Sequence, residues 1–199
     1  MRYAAQFILR GELVAIPTDT FYGIAADPFN LKAVRQIYRV KGRPETRALP
    51  IFVNSLAQAV SLARDVPINF LKLAAKFWPG PLTLLVEAST LIPLKVTAHT
   101  GYVALRWPKS PIVSALIDLV KVPVTGTSAN ISGLPPCSTA VQLLEQLGDR
   151  LPLIIDAGKS AGPLASTIVK VDDDEWTVRR EGEISEEMIR AAIEDEAEE

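Results

Sequence analysis

The apolar positions of this chain follow two rhythms. Between residues 31 and 40, Leu31, Val34, Ile37 and Tyr38 recur at spacings of three and four, which stacks them on one face of a helix. Residues 12–16, 49–53, 82–86 and 102–106 are instead short, nearly continuous apolar runs, as in buried strands. Shorter runs at 122–124, 153–155, 167–171 and 176–178 predict further strands. A helix is predicted over 3–10, with Gly11 as its C-terminal stop. Another begins at Asn54 or Ser55, either of which can cap it, and runs through 63. A third covers 68–77, where Trp78-Pro79-Gly80-Pro81 ends it abruptly. Two more span 111–120 and 139–147, the latter stopping at Gly148. Ser185 opens a last helix, with Glu186 and Glu187 in its first turn to suit the dipole. The acidic end over 191–199 is expected to fray.

Strands alternate with helices, but the late strands lie too close in sequence for crossover helices. The pattern therefore predicts an α/β fold with a mixed sheet. No internal repeat and no clear linker interrupts the chain, so a single domain over 1–199 is expected, long enough to bury a substantial core.

Composition adds little until charge is mapped. A hydrophobic share of 48% with 22% charged residues is ordinary for a globular protein. The net charge of −2 excludes a global field that draws the chain to nucleic acid or membrane. Locally the balance differs: Lys32, Arg35, Arg39, Lys41, Arg43 and Arg47 face only Glu45 between 31 and 47. The single cysteine, Cys137, excludes an intrachain disulfide, and with the single histidine, His99, it excludes a Cys/His zinc site. A Ser-His or Cys-His mechanism would have to use His99, whose setting in "TAHTGY" reads as structural or exposed. No signal-peptide pattern opens the chain, and no uncharged run reaches the ~20 apolar residues of a membrane span. A cytoplasmic protein without membrane contact is expected.

Candidate chemistry concentrates in loops that follow strands. "PTDTFYG", from Pro17, crowds Thr18, Asp19 and Thr20 behind the first strand. "VTGTSANISG", from Val124, packs Thr125, Thr127, Ser128, Asn130 and Ser132 into one turn, and "LASTIV" places Ser166 and Thr167 at a third strand start. Ligands of open α/β sheets bind beyond strand ends, where hydroxyls, amides and exposed N–H groups form a donor-rich cradle. Any one such loop is explained equally well as turn and cap residues; three together are less easily explained so. In "YRVKGRPETR", Arg39, Lys41 and Arg43 share a face if the segment is extended, and Arg39 and Arg43 share one if the helix continues. The helix dipole accounts for Arg35 and Arg39, but not for Arg43 beyond Gly42, which points to phosphate or carboxylate recognition. Neither a P-loop nor a dinucleotide-binding glycine pattern is present, and Thr127-Ser128-Ala129 lacks the glycines of a nucleophile elbow. Asp19, Asp27, Asp156 and the run Asp172-Asp173-Asp174 are the candidate Mg²⁺ carboxylates, the run reading better as a solvated turn.

The segments "PTDTFYG", "KGRP", "WPGPLTL", "ALRWP", "TSANISG" and "STIV" occur in that order between Pro17 and Gly182. As a set they resemble the YrdC family, also called TsaC, of threonylcarbamoyl-AMP synthases, and the length resembles its single-domain members. The resemblance implies a twisted mixed parallel/antiparallel sheet flanked by helices, with a concave basic surface. It implies a nucleotidyltransferase that converts L-threonine, bicarbonate and ATP to threonylcarbamoyl-AMP and pyrophosphate. Downstream threonylcarbamoyl transferase proteins then carry the group to adenosine 37 of tRNAs that read ANN codons. Its Lys-x-Arg and Ser-x-Asn tetrad maps onto Lys41, Arg43, Ser128 and Asn130 as catalytic residues. By the same comparison Thr20, Arg106 and Ser166 bind threonine, and Arg39, Arg43, Asn130, Ser138 and Arg180 bind the nucleotide. No protein metal ligand is assigned, and Mg²⁺ is expected on the ATP phosphates. Glu181 stands where many relatives have proline, next to Arg180.

Two competing readings remain. A non-catalytic RNA-binding module would set the basic stretch against the backbone of tRNA or double-stranded RNA, with salt-sensitive affinity and no ATP turnover; it leaves the three hydroxyl-rich loops unexplained. A carbamoyl-phosphate-handling domain, as in larger hydrogenase-maturation enzymes, is disfavoured because no zinc-finger or acylphosphatase-like segment accompanies it.

Overall fold

The computed structural model describes residues 1–160, 162, 164–172 and 175–194. Ten strands and seven helices are named in chain order among them. The first half runs α1 (Arg2–Leu9), β1 (Val14–Ile16), β2 (Gly23–Ala25), α2 (Leu31–Lys41), β3 (Ile51–Phe52), α3 (Leu56–Leu62), α4 (Ile68–Phe77), β4 (Leu82–Glu87) and β5 (Tyr102–Arg106). The second half runs α5 (Pro111–Val120), β6 (Val124–Thr125), β7 (Thr127–Ser128), α6 (Ala140–Leu147), β8 (Leu153–Ile154), β9 (Thr167–Val171), β10 (Trp176–Arg180) and α7 (Glu186–Glu194).

The strands form two sheets where the sequence suggested one. The smaller has the order β7-β2-β1-β8 and the larger β10-β9-β4-β5-β3-β6. Both are mixed: β1 runs antiparallel to β2 and parallel to β8, while β4 runs antiparallel to β5 and parallel to β9. β6 and β7 belong to different sheets yet are separated by Gly126 alone. At that crossing Thr125 N–H donates to Ala26 O at 2.9 Å and Gly126 N–H donates to Pro50 O at 2.8 Å. Only glycine fits there, because a Cβ would enter the ring of Phe52.

Helix boundaries follow capping chemistry. Asn30 Oδ1 accepts from the Lys32 and Ala33 amides to start α2, and Ser110 Oγ accepts from Val113 N to start α5 ahead of Pro111. Ser55, not Asn54, caps α3. Three expectations need correction. β2 was not foreseen: Gly23, Ile24 and Ala25 are apolar and buried, but the run is short, opens on a glycine and follows the polar Thr18-Asp19-Thr20, and pairing with β1 and β7 makes it a strand. The strand expected at 122–124 begins only at Val124, since Lys121 is left-handed at φ 62° and turns the chain first. Residues 191–194 are helical rather than frayed, with Ile189 and Ala192 buried; residues 195–199 lie outside the described chain. α2 also runs one residue further than expected, to Lys41, and stops because Gly42 takes φ +58°.

Candidate active site

The loop after β1 is folded by its own hydroxyls. Thr18 Oγ1 donates to Phe21 O at 2.7 Å, accepts from Thr20 N at 3.1 Å and lies 3.1 Å from Thr20 Oγ1. This turn presents Thr20 to Arg106 at the end of β5. Arg106 Nη1 donates to Thr20 Oγ1 at 3.0 Å, Nη2 to Asp19 Oδ1 at 2.6 Å, and Nε to Gly80 O at 3.0 Å. Arg106 is 4% exposed; burial pushes its pKa down and Asp19 opposes that shift.

The turn after β7 is organised from below by Lys41. Lys41, at the end of α2, continues the buried face of Val34, Ile37 and Tyr38 and points inward at 1% exposure; its Nζ donates to Ser128 O, to Asn130 O at 2.7 Å and to Asn130 Oδ1 at 3.3 Å. Burial, then Arg43, pushes Lys41 down to about 7. Asn130 is equally committed. Its Oδ1 accepts from Ser128 Oγ at 2.5 Å, and its Nδ2 donates to Ile131 O at 2.8 Å and Leu134 O at 2.7 Å. The sequence put Arg39, Lys41 and Arg43 on one face only if the segment is extended; α2 instead runs through Lys41, so Arg39 and Lys41 point to opposite sides of the helix, and Arg43 lies beyond the turn at Gly42.

Arg43 is half-buried against the chain that follows it, with Nε donating to Arg47 O at 3.2 Å and Nη2 to Ala48 O at 2.8 Å. Burial lowers its pKa. On the far side, Arg180 donates through Nε and Nη2 to Ser166 O at 3.2 and 2.8 Å, and through Nη2 to Ser166 Oγ at 3.1 Å. Ser166 Oγ lies 2.9 Å from Thr83 Oγ1 on β4.

Thr20, Arg43, Arg106, Ser128, Asn130, Ser166 and Arg180 all line one cavity of about 560 Å³. Three of the ten expected site residues do not. Lys41 lies beneath the wall rather than in it. Ser138 sits at the start of α6, its N–H and hydroxyl both donating to Gln142 Oε1, at 2.8 and 3.1 Å, though the nearby Pro136 reaches the cavity. Arg39 faces a separate cleft of about 500 Å³, with Lys32, Arg35, Gln36 and Glu12. The cavity also has members not assigned from sequence: Thr83, Phe52 and Arg179. Thr83 left a trace as a polar residue within the apolar run "PLTL"; Phe52 left none. Tyr22 joins the parts: its hydroxyl donates to Gly158 O at 2.8 Å, its N–H donates to Cys137 O and its carbonyl accepts from Ala129 N.

The candidate metal carboxylates are otherwise engaged. Asp19 is paired with Arg106, Asp27 accepts from Phe29 N, Asp156 accepts from Gly158 N, and Asp172 pairs with Lys170 at 2.6 Å. Asp173 and Asp174 lie outside the described residues. Among the described residues no three of His, Cys, Asp or Glu come together as a cation site. His99 is exposed in a left-handed turn at φ 61°. No helix among the described residues is long and apolar enough to cross a membrane.

Known proteins resemble this chain in sequence and in fold. The chain is 37% identical over 193 residues to the threonylcarbamoyl-AMP synthase of Pyrococcus abyssi, covering 97% of this chain and 57% of that protein. It is 36% identical over 192 residues to the threonylcarbamoyl-AMP synthase of Bacillus subtilis, covering 96% and 55%. The chain thus spans little more than half the length of these relatives. Its fold superimposes on the crystal structure of P. abyssi Sua5 complexed with L-threonine with a TM-score of 0.93, over 97% of this chain and 57% of that one. The profile of the Sua5/YciO/YrdC family, described as "Telomere recombination", matches residues 6–182, and the chain belongs to that family.

Proposed function

We propose that this chain acts as a threonylcarbamoyl-AMP synthase, folded as one YrdC-like domain. The observation that carries the reading is the cavity itself. One wall offers Arg106 with Thr20, the Ser166–Thr83 hydroxyl pair and Arg180, which is bonded to Ser166; the lining also includes Arg43, Ser128 and Arg179. That suits an amino acid on one side and a polyphosphate on the other. The likeness to enzymes of that name, and to a relative crystallised with L-threonine, supports the same assignment.

In the proposed reaction, bicarbonate takes up a proton and yields carbon dioxide and water, and the unprotonated amine of L-threonine adds to the carbon dioxide and releases a proton to form a carbamate, so the two steps together consume no net proton. A carbamate oxygen then attacks the α-phosphorus of ATP as the bond from that phosphorus to the bridging oxygen breaks, so pyrophosphate leaves with the electron pair. Charge stays on carboxylate, carbamate and phosphate oxygens throughout, so positioning and fixed cations do most of the work. Arg106 with Thr20 and Ser166 would hold the threonine carboxylate and hydroxyl. Arg43 and Arg180 would neutralise phosphate charge, each with a planar fork suited to oxyanions. Lys41 and Asn130 would act by shaping the Ser128–Asn130 turn. Among the described residues the carboxylates do not fit an all-protein Mg²⁺ cage, so the ion would be held chiefly by ATP phosphates and water. The product would serve transferase proteins that modify tRNA, in the cytoplasm.

One observation favours a second reading, RNA binding: Lys32, Arg35 and Arg39 line their own cleft and make no ion pair among the described residues. Pyrophosphate release separates the two. Release from ATP should require both L-threonine and bicarbonate and should fall at least about a hundredfold in Arg43→Ala, the scale of losing one oriented oxyanion donor. Salt-sensitive RNA retention without any pyrophosphate release would overturn the synthase reading.

A further inference from the structure

Arg106 is the most tightly held cation of the cavity wall, and its partner has no assigned role. A guanidinium carries five N–H donors. Nε–H is taken by Gly80 O, one N–H of Nη1 by Thr20 Oγ1 and one of Nη2 by Asp19 Oδ1. One N–H on each terminal nitrogen is left to meet a ligand. The second Asp19 oxygen, Oδ2, accepts from Lys109 N at 3.1 Å, which fixes the carboxylate to the segment after β5. Phe52 underlies the guanidinium, 5.8 Å from ring centre to Cζ. Thr20 and Gly80 each accept a single N–H, whereas Asp19 alone adds charge. It also ties the arginine to a second backbone segment.

We propose that Asp19 is a positioning residue: it orients Arg106 so that its two remaining N–H groups meet the carboxylate of the amino-acid substrate. This rests on the synthase reading. Asp19 does not line the cavity, so it acts through Arg106 and not by contact. Both of its oxygens are used as acceptors. An asparagine has one acceptor oxygen, so Asp19→Asn keeps the shape but must forfeit either Arg106 or the Lys109 amide. The guanidinium then loses its charged restraint while Thr20, Ser166 and the phosphate-side arginines stay in place.

The test is calorimetric binding of L-threonine and of ATP to the wild type, Asp19→Asn, Arg106→Lys and the double variant. Asp19→Asn should weaken L-threonine about tenfold, equivalent to about 1.4 kcal/mol, and change ATP by less than about twofold. In the double variant it should add nothing to the loss caused by Arg106→Lys, because the two act as one unit. Additive losses, equal weakening of ATP, or an unchanged L-threonine affinity would each overturn the role of Asp19. A wild type that binds ATP but not L-threonine would overturn the synthase reading, and this role with it. If Asp19→Asn folds poorly, Asp19→Glu carries the same comparison: it keeps charge and both acceptors, but its added methylene displaces the guanidinium.

Discussion

Replacing Lys41 with methionine tests whether the buried ammonium holds the Ser128–Asn130 turn together. The substitution keeps length and apolar stem but removes every donor. Three acceptors are affected unequally. Ser128 O keeps the Asn130 amide at 3.1 Å, and Asn130 Oδ1 keeps the Ser128 hydroxyl at 2.5 Å. Asn130 O loses its described partner, at 2.7 Å. An orphaned buried carbonyl costs about 1–3 kcal/mol, and the lost bonds to the other two oxygens add a smaller share. Methionine also removes the cost of burying a charge, which offsets part of this. The net expectation is a loss of about 2–4 kcal/mol, or roughly 4–16 °C in Tm for a chain of this size. Urea unfolding at neutral pH, followed by tryptophan fluorescence, measures it.

The pH dependence of the same difference tests the protonation state. Lys41 lies near pH 7 in the fold against an ordinary 10.5. Between those values the unfolded chain binds the extra proton, so folding stability rises with pH. The stabilisation is full above 10.5 and gone below about 7. Wild type should therefore gain on Lys41→Met by on the order of 1 kcal/mol per pH unit between pH 8 and 10. A methionine variant as stable as wild type would refute the structural role. A difference that stays flat with pH would show that the three oxygens hold the ammonium charged against its burial.

Other positions give sharp expectations. Thr167 is fully buried; its Oγ1 donates to Ile184 O at 2.6 Å and accepts from Gly182 N and Ile184 N, both at 3.0 Å. Thr167→Val should cost about 2–4 kcal/mol in urea unfolding, since three backbone groups lose a partner; a loss below about 1 kcal/mol would show that they find others. Gly126→Ala should force Phe52 out of the cavity floor, costing about 1–3 kcal/mol and weakening L-threonine binding together with stability. Unchanged values on both measures would mean that the two sheets can part at this crossing without cost.

How much of this was legible in the sequence depends on whether the signal was local. α4, α5, β5 and β9 lie at the expected bounds because their apolar runs and their caps or breakers sit within a few residues of each other. β2 and β7 escaped notice because they are made strands by partners far away: Gly23 pairs with Ser128, across the loops that hold the chemistry. The same holds for the site. Thr20, Ser128 and Ser166 were recognisable as polar residues in loops beside strands, and Arg43 as a cation beyond the helix stop at Gly42. The Asp19–Arg106 pair, the Ser166–Thr83 contact and the Tyr22 hub join residues far apart in the chain, and no spacing rule reports them. Arg39 misled because cations at alternate positions share a face only in an extended chain; in α2, Arg39 and Lys41 point to opposite sides, and only Arg43 lies beyond the turn at Gly42.

Helix geometry and one ion pair together decide how charge is distributed in the cavity. Of the cations expected around the substrate, Arg39 faces another cleft, Lys41 is sealed beneath the wall, and Arg106 is neutralised by a carboxylate at 2.6 Å. Arg43, Arg179 and Arg180 remain as cavity-lining cations without an acidic partner within salt-bridge distance among the described residues. On the proposed function, the paired Arg106 would meet a single carboxylate and the unpaired Arg43 and Arg179 a ligand carrying more charge, with Arg180 bonded to Ser166 beside the amino acid. An amino acid and a nucleoside triphosphate differ in that respect, and the division would let each find its own end of one cavity. Rising salt should then weaken ATP binding more steeply than L-threonine binding, because screening acts on net charge and leaves the geometry of the Asp19–Arg106 pair largely intact.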